Sequence, residues 1–177
     1  RRGECEAMVP ELTEFFELIT MEAPATLDGG DVLRVGNRFF VGRSARTNDE
    51  GIALLREVAE RDGAQVIAMD VPSGLHLKSA CTMLDETTVI IDPQVLHADL
   101  FEAHGLKCVS ASEPLGANVL ALGGNKVIAS QAAPKTNEAL KSAGYDVHTV
   151  CVDELHKGDG ALSCLSIRIP PENHWAV

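Results

Sequence analysis

Three short stretches of the 177-residue chain hold residue types that do chemistry: "LDGGD" at 27–31, "GLHLKS" at 74–79 and "GDGALSCLS" at 158–166. Nucleophilic catalysis needs a thiolate as attacker and an imidazole to move the proton. It also needs a carboxylate to fix the imidazole's tautomer. Cys164, His76 and Asp28 are one residue of each kind. Taken singly, each has a plainer reading. Cys164, flanked by Ser163 and Ser166, is first a small core hydrophobe. His76 stands between a Pro/Gly loop and a strand, a junction where catalytic groups gather, yet a lone histidine is most often structural. Two glycines between Asp28 and Asp31 make a tight turn whose aspartate can cap backbone amides. The other histidines are less pointed. His97, His104 and His156 sit in helix-like or polar surroundings, His148 alternates within a strand, and His174 lies in the tail.

The elements that must position these residues repeat. "DVLRV" and "RFFVG", joined by "GN", read as a hairpin. A helix follows, capped at Thr47 or Asn48, with Ile52, Leu54, Leu55 and Val58 as its apolar stripe and Gly63 at its end. "QVIAMDV" closes the unit as a strand. The order returns as "CTML", "TVIID", a helix over "PQVLHADLFEAHG" and "KCVSA". It returns again as "NVLAL" and "KVIAS" joined by "GGN", a helix over "APKTNEALKSAG", and "DVHTVCV". Strand, strand, helix, strand, three times over, is a repeated module with loops of differing length. At the front, "EAMVPELTEFFELITMEA" reads as a helix with a break at Pro10, then a strand. At the back, "CLSIRIP" reads as a first strand without its second. The chain opens on "RRGECEAM" rather than Met, and a preceding section is expected.

Composition excludes several classes. The hydrophobic fraction of 45% and charged fraction of 23% describe one globular domain spanning residues 1–177. A net charge of -11 argues against nucleic-acid binding, which uses a basic stripe. No apolar run approaches the ~18 residues of a membrane span. The five cysteines are odd in number, widely spaced and without C-x-x-C, which favours a reducing, cytoplasmic setting over a disulfide framework. No third residue joins a Cys–His pair as a metal ligand, so neither a metal nor another cofactor is expected. The oligomeric state stays open.

"LDGGD", "GRSARTN", "GLHLKS" and "GDGALSCLS" fall in that order, each at the loop edge of a module. Jointly they resemble the dimethylarginine dimethylaminohydrolases of the guanidino-group-modifying pentein superfamily, over Arg1 to about Ile169. The chain resembles the C-terminal two-thirds of such an enzyme. The resemblance implies a pentein-type α/β propeller of ββαβ modules, with about three full modules here and partial ones at both ends. It also implies a small-molecule substrate, a methylated arginine. Cys164 then matches the nucleophile, His76 the general acid and base, and Asp28 the carboxylate partner of the histidine. Arg46 matches the residue holding the substrate's α-carboxylate, Arg1 a second substrate-binding arginine, and Gly158 a backbone contact to the amino acid end.

The implied reaction is hydrolysis of asymmetric dimethylarginine or monomethylarginine to citrulline and an amine, through a thiouronium on the cysteine. "HLK" bears on the choice of substrate. Arginine deiminases resemble this family but carry an acidic residue two positions after the histidine, where this chain has Lys78. A site lacking that carboxylate suits a methylated guanidinium, which presents fewer N–H donors. The alternatives are an arginine deiminase or amidinotransferase relative, and a propeller fragment that binds ligands without catalysis.

Overall fold

In the computed structural model, which describes residues 3–71, 76–158 and 160–166, the chain forms three small sheets of three strands each. The first holds β1 (Val32–Val35), β2 (Arg38–Arg43) and β3 (Gln65–Asp70). The second holds β4 (Cys81–Met83), β5 (Thr88–Ile91) and β6 (Lys107–Ser110). The third holds β7 (Leu120–Gly123), β8 (Lys126–Ser130) and β9 (Asp146–Val150). In every sheet the first two strands pair antiparallel and the last two parallel. A tight turn suffices for the first pairing, whereas the second needs a crossover. The crossovers are α2 (Asp49–Arg61), the short α4 (Asp99–Glu102) and α5 (Pro134–Ser142). The repeated ββαβ order read from the sequence is present three times.

Local chemistry explains the boundaries. Gly36 and Gly63 adopt positive φ where the β1–β2 turn and the end of α2 require it. Of the two expected caps for α2, Asn48 does the work, its side chain accepting from Gly51 N–H at 2.9 Å. The same side chain reaches back to Thr26 N–H and Pro24 C=O, pinning the segment before the first sheet. Gly51 allows this approach, since a Cβ there would lie 2.0 Å from Thr26 O.

The core is shared between modules. Phe40, Met69, Leu77, Val89, Ile91 and Phe101 join the first to the second, with the Phe40 and Phe101 rings 5.0 Å apart. Ile90, Val119, Val127 and Leu140 join the second to the third. Alternation along β5 sends Val89 and Ile91 one way and Ile90 the other, which is why all four of its residues are buried. No helix among the described residues is long and apolar enough to cross a membrane.

Three expectations differ. The helix read over "PQVLHADLFEAHG" shrinks to Asp99–Glu102. Asp92 C=O accepts from Val95 and Leu96 N–H, and its side chain accepts from Gln94 N–H. That turn tucks Leu96 into the core, which a continuous helix from Pro93 would not do. At the front, α1 (Glu4–Leu12) runs through Pro10, where the sequence predicts a break, and no strand follows it before β1. Phe15, Leu18 and Ile19 remain exposed there, and among the described residues no strand lies alongside to form a ladder. At the back, Cys164 lies in a 3₁₀ turn, Leu162–Leu165, instead of a strand, and 167–170 of "CLSIRIP" fall outside the described residues.

Between the second and third modules, the Tyr145 hydroxyl donates to Asp85, whose other oxygen accepts from Thr87 N–H and Oγ1. Burial alone would raise the Asp85 pKa, but the bonds from Tyr145 and Thr87 outweigh it and hold the carboxyl below its usual value. Burial and the same bond raise the Tyr145 phenol. The stabilisation is therefore present from above the ordinary carboxylate pKa of ~3.9 up to the ordinary phenol pKa of ~10. It fades as pH falls through the lowered value of Asp85 or climbs through the raised value of Tyr145. Tyr145→Phe is expected to cost about 1 kcal/mol at pH 7, the lower end for a partly solvated bond to a charge. Urea unfolding of wild type and variant should converge toward both pH extremes; a constant gap from pH 3 to 11 would contradict the assignment.

Candidate active site

The first module supplies carboxylates. Asp28 N-caps a 3₁₀ turn at Gly29–Asp31, its Oδ1 accepting Gly30 N–H at 2.8 Å. The turn swings Asp31 inward until the residue is completely buried. Asp31 Oδ2 accepts from Ser44 Oγ at 2.6 Å and Thr47 Oγ1 at 2.7 Å; Oδ1 accepts from Leu77 N–H at 3.1 Å. These bonds tie the entry to β1, the loop after β2 and the start of α3 (Leu77–Ala80) to one side chain.

The imidazole of His76 stands against this group. Its Nδ1 lies 3.3 Å from Asp31 Oδ1 and 3.8 Å from Asp28 Oδ1. The hydrogen bond thus runs to Asp31, while Asp28, the partner expected from the sequence, stands at ion-pair distance with its oxygen engaged by Gly30. On the other side, the Arg46 guanidinium contacts Nε2. A guanidinium only donates, so Nε2 accepts and the ring proton sits on Nδ1, facing Asp31. Gly30 makes room for the ring: a Cβ there would fall 2.8 Å from the His76 Cγ.

Cys164 is exposed on its 3₁₀ turn, at the far end of the chain from His76. The neighbouring Ser163 donates its N–H to Asn118 Oδ1 at 3.1 Å. Asn118 Nδ2 lies 2.8 Å from Ser163 Oγ and 2.9 Å from the carbonyl of Lys78, two residues after His76. Burial lowers the pKa of the Lys78 ammonium, while the acidic groups of Cys164, Asp28, Cys81 and Asp31 pull it the other way. The expected site residues Asp28, Arg46, His76 and Cys164 therefore share one neighbourhood. Gly158 follows α6 (Asp153–His156), its N–H donating to Leu155 C=O. Arg1 lies outside the described residues.

Two other thiols are held inert. Cys81 is fully buried and its pKa is raised by that burial, and burial pushes the Cys108 thiol up to about 11. His104 packs its edge on Phe40. No group of three or more His, Cys, Asp or Glu arranged to hold a metal occurs among the described residues. A surface hollow at the β1–β2 turn, between Asn37 and Glu86, is lined by neither a nucleophile nor an imidazole. Asp31 and Asn118 were not singled out from the sequence. Both are polar residues beside apolar strand runs, the one signal that could have marked them.

The arginine deiminase family model matches residues 17–109 and 105–170. A dimethylarginine dimethylaminohydrolase from Streptomyces coelicolor is 41% identical over 148 residues, covering 82% of this chain and 55% of that protein. One from Pseudomonas aeruginosa is 30% identical over 170 residues, covering 95% of this chain and 66% of that protein. The chain thus spans between half and two-thirds of these relatives. The solved structure of a Pseudomonas aeruginosa dimethylarginine dimethylaminohydrolase, a cysteine-to-serine mutant complexed with citrulline, superposes with a TM-score of 0.85 at 29% identity, over 95% of this chain and 66% of that one. An amidinotransferase from Microseira wollei, at 19% identity and a TM-score of 0.75 over 88% of this chain and 51% of that one, shares the fold alone. The matched family model, the identities and the shared three-module fold together show that the chain belongs to the dimethylarginine dimethylaminohydrolase family of the pentein superfamily.

Proposed function

We propose that this chain carries the nucleophile and proton-transfer machinery of a hydrolase that converts asymmetric dimethylarginine or monomethylarginine to citrulline. The observation that carries the reading is that Asn118 bonds both Ser163, beside the exposed Cys164, and Lys78, two residues after a His76 whose Nδ1 faces Asp31. The curated relatives bear that activity's name.

The chemistry suits these groups. A guanidinium is a resonance-stabilised cation at physiological pH and a poor electrophile, so its carbon calls for a thiolate. The Cys164 thiolate attacks the central carbon and forms a C–S bond. His76, protonated on Nε2, donates that proton to the departing nitrogen as the C–N bond breaks and dimethylamine leaves. An S-alkylthiouronium remains on Cys164. Neutral His76 then takes a proton from a water that attacks the same carbon, the C–S bond breaks, and citrulline departs. One imidazole serves both halves, each transfer worth roughly 10²–10⁴-fold. The proton held on Nδ1 toward Asp31 leaves Nε2 as the working nitrogen. Arg46 rests on that nitrogen and must swing away, and a substrate α-carboxylate is the partner its planar fork fits. Lys78 stands where arginine deiminases keep a carboxylate, which favours the methylated substrate.

Three experiments on the intact protein test this. Cys164→Ser should abolish citrulline formation while leaving the fold intact, because a hydroxyl is far less nucleophilic at pH 7. The native protein should convert dimethylarginine with a kcat/KM about tenfold or more above that for arginine, the scale of one pocket contact. Arginine as the better substrate would replace the reading with a deiminase. Gly30→Ala should displace the imidazole and lower kcat by about 10²-fold, as ångström-scale misplacement does. Unchanged kcat would mean that His76 works from another position.

A further inference from the structure

Asn118 is almost completely buried, in the loop leading to β7, and belongs to the third module, which supplies none of the groups named in the reaction above. Every polar atom of its side chain is engaged. Oδ1 accepts from Ser163 N–H; Nδ2 meets Lys78 C=O and Ser163 Oγ. One partner is the residue preceding Cys164, and the other lies two residues beyond His76. A primary amide can accept one hydrogen bond and donate two at once, which a hydroxyl with its single hydrogen cannot. The His76 segment is thereby held from two sides. Asp31 grips Leu77 N–H on one, and Asn118 grips Lys78 C=O on the other. The Cys164 turn has its own internal bond from Cys164 N–H to Ala161 C=O, but that bond fixes only the shape of the turn. Among the described residues, the hydrogen bonds that link the turn to the acid/base segment run through Asn118.

We infer that Asn118 is a positioning residue, a clasp that sets the separation and orientation of the Cys164 nucleophile relative to His76. The inference rests on the hydrolase reading for its kinetic consequence, and on geometry alone for the link between the two segments. Reaction at a guanidinium carbon demands that sulfur and imidazole be placed together, and misplacement by an ångström costs orders of magnitude. A clasp of this kind acts on the chemical step more than on substrate affinity, because Asn118 touches the two catalytic segments.

The test compares wild type, Asn118→Ala and Asn118→Asp in the intact protein. The first readout is the pH profile of Cys164 alkylation by iodoacetamide, followed by peptide mass, with protection of the buried Cys81 reporting an intact fold. The second is the split of kcat from KM with dimethylarginine. Asn118→Ala is expected to lower kcat by about tenfold or more with KM within about threefold, and to displace the alkylation profile. Asn118→Asp keeps an acceptor for Ser163 N–H but loses the donor to Lys78 C=O, and should fall between the two. A folded Asn118→Ala protein with wild-type profile and kcat overturns the inference, as does a lowered melting temperature with both unchanged. If Cys81 becomes reactive in Asn118→Ala, the aspartate variant decides, and wild-type values there overturn the clasp. Should wild type form no citrulline from dimethylarginine, the hydrolase reading fails, while the alkylation profiles still decide the link between the segments.

Discussion

Asp31 has no exposed surface, and the site is arranged around satisfying it. A buried carboxylate without partners costs several kcal/mol, and the charge is tolerated only when donors replace its water. Ser44, Thr47, the Leu77 amide and the His76 imidazole supply them. Each donor comes with a constraint on its own segment. Ser44 and Thr47 close the loop after β2 on itself through a mutual backbone pair. The Leu77 amide fixes where α3 begins, and hence where His76 leaves the preceding loop. The imidazole is bound last in this hierarchy, to an oxygen already held in place. Its orientation is thus inherited from the bonds that hold Asp31, with Gly30 leaving room for the ring, which suits a ring that must keep one nitrogen free to work.

The modules divide the labour. Sheets that share cores are stiff, and loops at their ends can differ without disturbing the packing. The first module gives Asp28, Asp31 and Arg46; the second gives His76 and Lys78; the third gives Asn118; the closing turn gives Cys164. No local stretch could hold these groups together, because residues 28 and 164 meet only if the intervening modules pack in one arrangement. Phe40 against Phe101, and Ile90 against Val119 and Val127, are therefore part of the site's geometry even though none of them touches it.

Legibility in the sequence followed the range of the interactions. Hairpins were readable because "GN" and "GGN" impose turns within a few residues, and α2 because cap, stripe and terminal glycine are all local. The segment after Asp92 was not. Its helix-like pattern lost to a turn that buries Leu96, a requirement set by β5 and by Phe101. The cysteine's strand likewise gave way to a 3₁₀ turn held by Asn118, 45 positions away from Ser163. Motif order placed the imidazole, the cysteine turn and a carboxylate in one neighbourhood. It did not distinguish Asp28 from Asp31, since both flank the same glycines and only the 3₁₀ turn, with Asp28 as its cap, drives Asp31 inward.

One nitrogen sets the remaining constraint. Nδ1 of His76 is committed to Asp31, so every other demand on the ring falls on Nε2, which can accept from one donor at a time. Arg46 is that donor here. In the proposed reaction the leaving amine must stand in the same place, so the arginine and the reacting guanidinium compete for it. Arg46 is exposed and its backbone N–H is anchored by Ser44 Oγ, which lets the side chain swing while its base stays fixed. In that reaction a ligand carrying a carboxylate at the proper distance would draw Arg46 off the ring and fill the vacated position with its own guanidinium. A bare guanidinium has only the second of these interactions and must displace Arg46 unaided. Recognition of the amino acid end is in this way coupled to freeing the catalytic nitrogen, since differential contact with the two positions of Arg46 is what shifts the balance between them.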